Sequence, residues 1–225
     1  MTPHGGPTGQ TMDAFNGSAE LLVSRGFVVI APNVRGSTGY GTEFQEANIK
    51  DLGCADLKDE IAGVDFLEAT GFVDAQRVGI WGGSYGGFIT LMAIGKTPEV
   101  WSATEDEYGI LSWLTMLEHE DPRLQEYEKS LLGNPAKDRA IYETSSPLKY
   151  LRNEKTPLLV LQRDNDIRVP KEEAEQVIGI LKGEGRTLDA VFYPEEGHGF
   201  VKREHRLDEL TRSVAWLQKY LQGAQ

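Results

Sequence analysis

Short apolar runs alternate along this chain with longer stretches of helical period. The runs at 27–30, 78–81, 158–161 and 190–193 are rich in Val, Ile, Leu and aromatic residues and predict buried strands. A fifth run, 101–108, is a weaker strand candidate because Glu105, Asp106 and Glu107 interrupt it. Between the runs, residues 14–24, 56–69, 86–94, 171–182 and 207–221 carry apolar positions at helical spacing. Strand and helix in alternation require crossover connections and hence a mostly parallel sheet. Runs that are apolar on both faces need helices on both sides of that sheet. The expected class is therefore α/β with about five strands. Residues 111–150 are mostly polar and helical in pattern, and are expected to lie over one end of the sheet as a lid. No linker-like stretch divides the chain, so residues 1–225 are read as one domain.

Composition narrows the partners. The chain has 225 residues with 23 Lys and Arg against 35 Asp and Glu, a net charge of -12. An acidic surface repels phosphate backbones and anionic headgroups, so neither nucleic acid nor a membrane surface is expected as a partner. No apolar run is long enough to span a bilayer. The single cysteine, Cys54, cannot form an internal disulfide, and a cytoplasmic location is the expectation that fits it.

The chemistry concentrates at Gly82-Gly83-Ser84-Tyr85-Gly86-Gly87, directly after one strand candidate and directly before a helical run. That context is a nucleophile elbow: a serine on a sharp strand-to-helix turn, with small residues on either side so that neighbouring backbone can approach. The turn also sets the N–H of Tyr85 at a helix N-terminus, suited to a developing oxyanion. A serine hydroxyl needs a base, and the base needs an acid to orient it, in the chain order serine, acid, histidine. His198, in Glu196-Gly197-His198-Gly199-Phe200 after the last strand, is the candidate base; His119 and His205 lie in polar helical stretches and are expected to be solvated. Two acids follow the 158–161 run. Asp166 is preferred, because it lies deeper in the loop before Val169-Pro170, while Asp164 is free to cap or to pair with Arg163. Near the N-terminus, His4-Gly5-Gly6-Pro7 is a small-residue loop of the kind that supplies a second oxyanion donor.

Together with Pro32-Asn33-Val34-Arg35-Gly36-Ser37-Thr38-Gly39-Tyr40-Gly41 and Asn165-Asp166-Ile167-Arg168-Val169-Pro170, these motifs resemble the catalytic domain of the prolyl oligopeptidase family of serine peptidases, in particular its acylaminoacyl-peptidase and dipeptidyl-peptidase-like members. They recur in family order over essentially the whole chain. The resemblance implies an α/β-hydrolase fold, a Ser84–His198–Asp166 triad and an oxyanion hole made by the N–H groups of Gly6 and Tyr85. It implies neither cofactor nor metal.

Three departures stand out. Gln162-Arg163 occupies the place where the family usually has His-Gly. Glu105 and Glu107 stand where apolar residues are usual, and they are expected either to face solvent or to line a pocket for cationic substrates; with Trp113 they are the candidate substrate-binding residues. Only Met1-Thr2-Pro3 precede the glycine loop in this sequence, whereas in the family an interior strand enters it between the strands corresponding to 27–30 and 78–81. The fold is accordingly expected to be N-terminally truncated, with residues 1–7 poorly anchored. The 27–30 and 78–81 runs should pair directly, face a gap, or be completed by a homo-oligomer or an N-terminal segment. The expected activity is hydrolysis of small acyl esters or short peptides through an acyl-enzyme; the alternative is a catalytically silent fragment or a module that binds by strand addition.

Overall fold

A computed structural model describes residues 1–71 and 73–223 of the chain; the last two residues of the expected domain lie outside the described residues. Four strands, β1 (Gly79–Gly83), β2 (Ala103–Glu107), β3 (Leu158–Arg163) and β4 (Leu188–Tyr193), form a wholly parallel sheet in the order β1-β2-β3-β4. The helices are α1 (Gly17–Ser24), α2 (Thr42–Glu46), α3 (Ala55–Ala69), α4 (Tyr85–Lys96), α5 (Trp113–His119), α6 (Pro122–Leu132), α7 (Arg139–Thr144), α8 (Lys171–Gly183) and α9 (Arg203–Leu217).

The period-two alternation of strands sorts the core onto two faces. Ile80, Leu158 and Val160 point to one side, where they pack with Leu57 and Val64 of α3, Phe88 and Met92 of α4, and Val177 and Leu181 of α8. Trp81 and Ala103 point to the other, against Leu22 of α1 and Val214 and Leu217 of α9, and Leu159 and Leu161 meet Trp216 there. Helix α4 is apolar all round and buried from Tyr85 through Gly95, which ties the elbow to the centre of the core.

The 27–30 run differs from expectation. It is outside any strand, so the sheet has four strands rather than about five. Met1 and Thr2 lie between it and β1. The Met1 ammonium donates to the Gly79 carbonyl at 3.0 Å, Trp81 N–H donates to the Met1 carbonyl at 3.1 Å, and Thr2 N–H donates to the Ile30 carbonyl at 2.9 Å. Behind these two residues the run and β1 face a groove of about 220 Å³, lined among others by Phe27, Val28, Val78 and Leu221. A strand needs a backbone partner along its length, and two residues supply only the first rung. The poor anchoring expected of residues 1–7 is thereby corrected at its start.

Candidate active site

Ser84 sits between β1 and α4 with φ 58° and ψ -120°, a left-handed conformation that a side chain seldom adopts. Its N–H is tied to the Glu107 carbonyl at 3.0 Å. The flanking glycines are required by close approach. A Cβ on Gly82 would stand 2.5 Å from the backbone of Gly86, and one on Gly86 would run into the Pro3 carbonyl. The turn therefore presses the N-terminal segment against the serine.

His198 follows β4. Its Nδ1 lies 2.8 Å and 3.0 Å from the two Asp166 oxygens, and its Nε2 lies 3.1 Å from Ser84 Oγ. With the acid ionised, Nδ1 donates to Asp166 and Nε2 is left to accept from the serine. Asp166 is itself fixed: its Oδ1 accepts from Arg168 N–H at 2.9 Å and Val169 N–H at 3.0 Å. Asp164 is exposed, and Arg163 instead faces Glu107 at 3.9 Å. The guanidinium of Arg163 is stacked between the rings of Tyr108, at 3.8 Å, and Phe200, at 4.0 Å. Tyr108 meets the His198 ring edge-on at 5.0 Å. Arg163 thus backs the ring that backs the histidine, a role that the sequence showed only as a departure.

The Asn33-to-Gly41 motif braces the glycine loop. His4 Nε2 is 2.8 Å from Ser37 Oγ, and Thr38 N–H donates to the Gly9 carbonyl at 2.8 Å. Arg35 forks onto Asp59 of α3, at 2.6 Å and 2.8 Å, and holds the motif in place. On the far side Thr8 Oγ1 lies 2.6 Å from the Tyr127 hydroxyl of α6. Gly5, Gly6, Ser84, His198 and Trp113 all border one cavity of about 620 Å³. Tyr85 turns its ring into the core, where its hydroxyl donates to Asp56 at 2.5 Å, leaving only its backbone toward the elbow.

Glu105 and Glu107 are corrected. They are neither solvated nor in the cavity: both are buried, sharing with Ala103 the strand face that looks at α9. Glu105 accepts from Ser213 of α9 at 2.5 Å, and Glu107 accepts from Trp81 Nε1 at 2.6 Å. Burial, reinforced by Glu107, pushes the Glu105 carboxyl far up. His205 is also not simply solvated, since its Nδ1 lies 2.8 Å from Glu196. Sequence reasoning missed Tyr108, Met116, Glu120, Leu124, Tyr127 and Glu128, which border the cavity too. One signal was available. Glu128 falls on the same helical stripe as Leu124 and Leu131, an acid on an otherwise apolar face. Among the described residues no group of His, Cys, Asp or Glu is arranged to hold a metal ion, and no helix is long and apolar enough to cross a membrane.

A family model described as the prolyl oligopeptidase family matches residues 13–224. The chain belongs to that family. Similar curated proteins include the uncharacterized peptidase YuxL of Bacillus subtilis, 32% identical over 97% of this chain and 34% of that protein. Another is the acylamino-acid-releasing enzyme of Rattus norvegicus, 29% identical over 98% of this chain and 31% of the relative. Among solved structures, a puromycin-hydrolyzing peptidase of Mycobacterium tuberculosis superposes with a TM-score of 0.93 at 33% identity, covering 98% of this chain and 33% of its own. The Pyrococcus horikoshii acylaminoacyl peptidase gives 0.93 at 28% identity, covering 100% and 37%. The fold is the α/β-hydrolase fold of this family, and the chain spans about a third of the length of the relatives it matches.

Proposed function

We propose that this chain is a serine hydrolase that cleaves small acyl esters or short peptides through an acyl-enzyme. The observation that carries the reading is the continuous chain of hydrogen bonds from Ser84 Oγ through His198 to Asp166. His198 Nε2 takes the serine proton as Oγ attacks the substrate carbonyl. The N–H groups of Gly6 and Tyr85 receive the charge that develops on the carbonyl oxygen. The tetrahedral adduct then breaks its bond to the leaving group, which takes the proton from His198. Water, deprotonated by the same nitrogen, releases the acyl group and restores Ser84. Family membership supports peptide substrates, and the cavity of about 620 Å³ offers room for a small acyl group.

A fluorophosphonate probe and an activated ester test the reading together. Wild-type chain should label and turn over, and Ser84→Ala should do neither, since losing a triad member costs up to about 10⁶ in kcat. Residual turnover within tenfold of wild type would remove Ser84 from the mechanism.

A further inference from the structure

His198 stands on a short loop, Gly197-His198-Gly199-Phe200, in the connection from β4 to α9. Two of the four residues are glycine, the freest backbone there is. Within itself the loop has one short contact, from Gly199 N–H to the Gly197 carbonyl at 2.8 Å. A Cβ on either glycine would meet nothing closer than 3.9 Å, so packing does not restrain these positions. Phe200 is gripped at its ring, by Tyr193 at 5.0 Å and by the Arg163 guanidinium at 4.0 Å. A general base, however, must stay within hydrogen-bond reach of the proton it takes, and a misplacement of about 1 Å can cost about 10²-fold in rate.

Glu196, the residue before the loop, supplies the missing restraint. Its side chain is wholly buried, at 0% exposure. Oε2 accepts from Val201 N–H at 2.8 Å, and Oε1 accepts from Lys202 N–H at 3.0 Å and lies 2.8 Å from His205 Nδ1. The residue on one side of the loop thus grips the two residues on the other. Its backbone carbonyl also accepts from Asn165 N–H at 3.0 Å, next to Asp166. One residue therefore closes the loop of the base and joins it to the loop of the acid. Burial alone would raise the Glu196 carboxyl, yet the N–H groups of Val201 and Lys202 and the His205 ring hold it below the usual carboxylate range. Its neighbour Glu195 is exposed and pairs only with the Lys202 ammonium. Glu196 does not border the Ser84 cavity, whereas His198 does.

We propose that Glu196 is a positioning residue for His198: its carboxylate closes the loop that carries the base and so sets Nε2 against Ser84 Oγ. This rests on the hydrolase reading above. Glu196 acts through the histidine and makes no contact with substrate.

Glu196→Gln tests it. Glutamine keeps the shape but has a single acceptor oxygen, and its NH₂ would point hydrogens at backbone N–H groups. With an activated ester at pH 8, kcat should fall by about tenfold to 10²-fold while KM stays within about twofold. In a His198→Ala background, whose residual rate owes nothing to imidazole, the same substitution should change kcat by less than about twofold. An equal loss in both backgrounds, or no loss in the first, would overturn the proposal. A readout independent of turnover comes from long-range ¹H–¹⁵N spectra of the histidine-labelled chain, which report the tautomer of each ring. His198 should be a single Nδ1–H tautomer in the wild type and a mixture in Glu196→Gln. An unchanged tautomer would overturn the positioning role. If the wild type turns over no ester but the tautomer shifts as expected, the hydrolase reading alone fails. Should Glu196→Gln not fold, Lys202→Pro cuts the same contact from the other end, at a φ of -82° that proline accepts. It should lower kcat and mix the His198 tautomers in the same direction, and neither change would again overturn the proposal.

Discussion

Asp164 and Asp166 are two residues apart in one loop, and only one of them can reach His198. Asp166 does, with both oxygens, while two backbone N–H groups hold it in place. Asp164 points outward and is exposed. Asp166→Asn should lower kcat by about 10⁴, because the amide favours the wrong imidazole tautomer. Asp164→Asn should leave kcat within a few-fold. Steady-state turnover of one activated ester by both variants checks the pair, and equal losses would mean that the loop, not the hydrogen bond, is what matters. At the same scale, Arg163 shows why an unusual residue is worth following. It fills the space behind Tyr108 and faces the buried Glu107, so both departures from family habit belong to one packed unit beneath His198.

The N-terminal half turns on the space between the 27–30 run and β1, which Met1 and Thr2 bridge by hydrogen bonds to Gly79, Trp81 and Ile30. Among the described residues, the N–H groups of Val28, Val29 and Ile30 have no hydrogen-bond partner. The Met1 ammonium is buried against the Gly79 carbonyl, and desolvation lowers its pKa to about 6. An amide N–H would fill that place without the charge. An apolar extended segment of about five residues fused ahead of Met1, an ordinary strand length, should therefore run into the groove of about 220 Å³. Each hydrogen bond it completes is worth about 1 kcal/mol, and 1 kcal/mol moves the melting temperature of a domain this size by about 2–4 °C. Scanning calorimetry should show a rise of several degrees, which a scrambled polar extension does not give. An unchanged Tm would mean that the groove is not a strand site.

Over the whole molecule, buried acids set the pH dependence of stability. Burial pushes Glu60 up to about 8, Asp106 to about 7, Glu120 to about 7, Glu128 to about 10 and Glu209 to about 9. In the unfolded chain the same groups ionise near pH 4. Above that pH the unfolded chain has released protons that the fold still holds, so stability falls as pH rises, until the folded groups ionise as well. A second set works the other way. Lys50 and Arg212 hold Asp138 and Asp208 below the usual range, a contribution present above about pH 4 and lost in acid. Tm should therefore peak near pH 5 and decline steadily toward pH 9. A melting temperature that is flat or rising over that interval would contradict the burial of these acids.

Local chemistry was legible in the sequence. The elbow, the histidine after the last strand and the alternation of strand with helix are set by neighbours in the chain: glycines that admit a left-handed serine, β-rich runs of strand length, helical spacing of apolar positions. What needed the tertiary structure is whatever depends on a partner distant in sequence. The side of the sheet taken by Glu105 and Glu107 follows from the register of β2 between β1 and β3, and a one-residue slip would have reversed it. The 27–30 run has strand composition but lies beside only two residues of backbone, and composition cannot pair an N–H. Glu120 reads as an ordinary surface acid, and Glu128 only as an acid on an apolar stripe, until the end of α5 and α6 pack beside Ser84 and carry both to its cavity. A sequence states which groups a chain owns, and the packing of its elements decides which of them lose water and which meet.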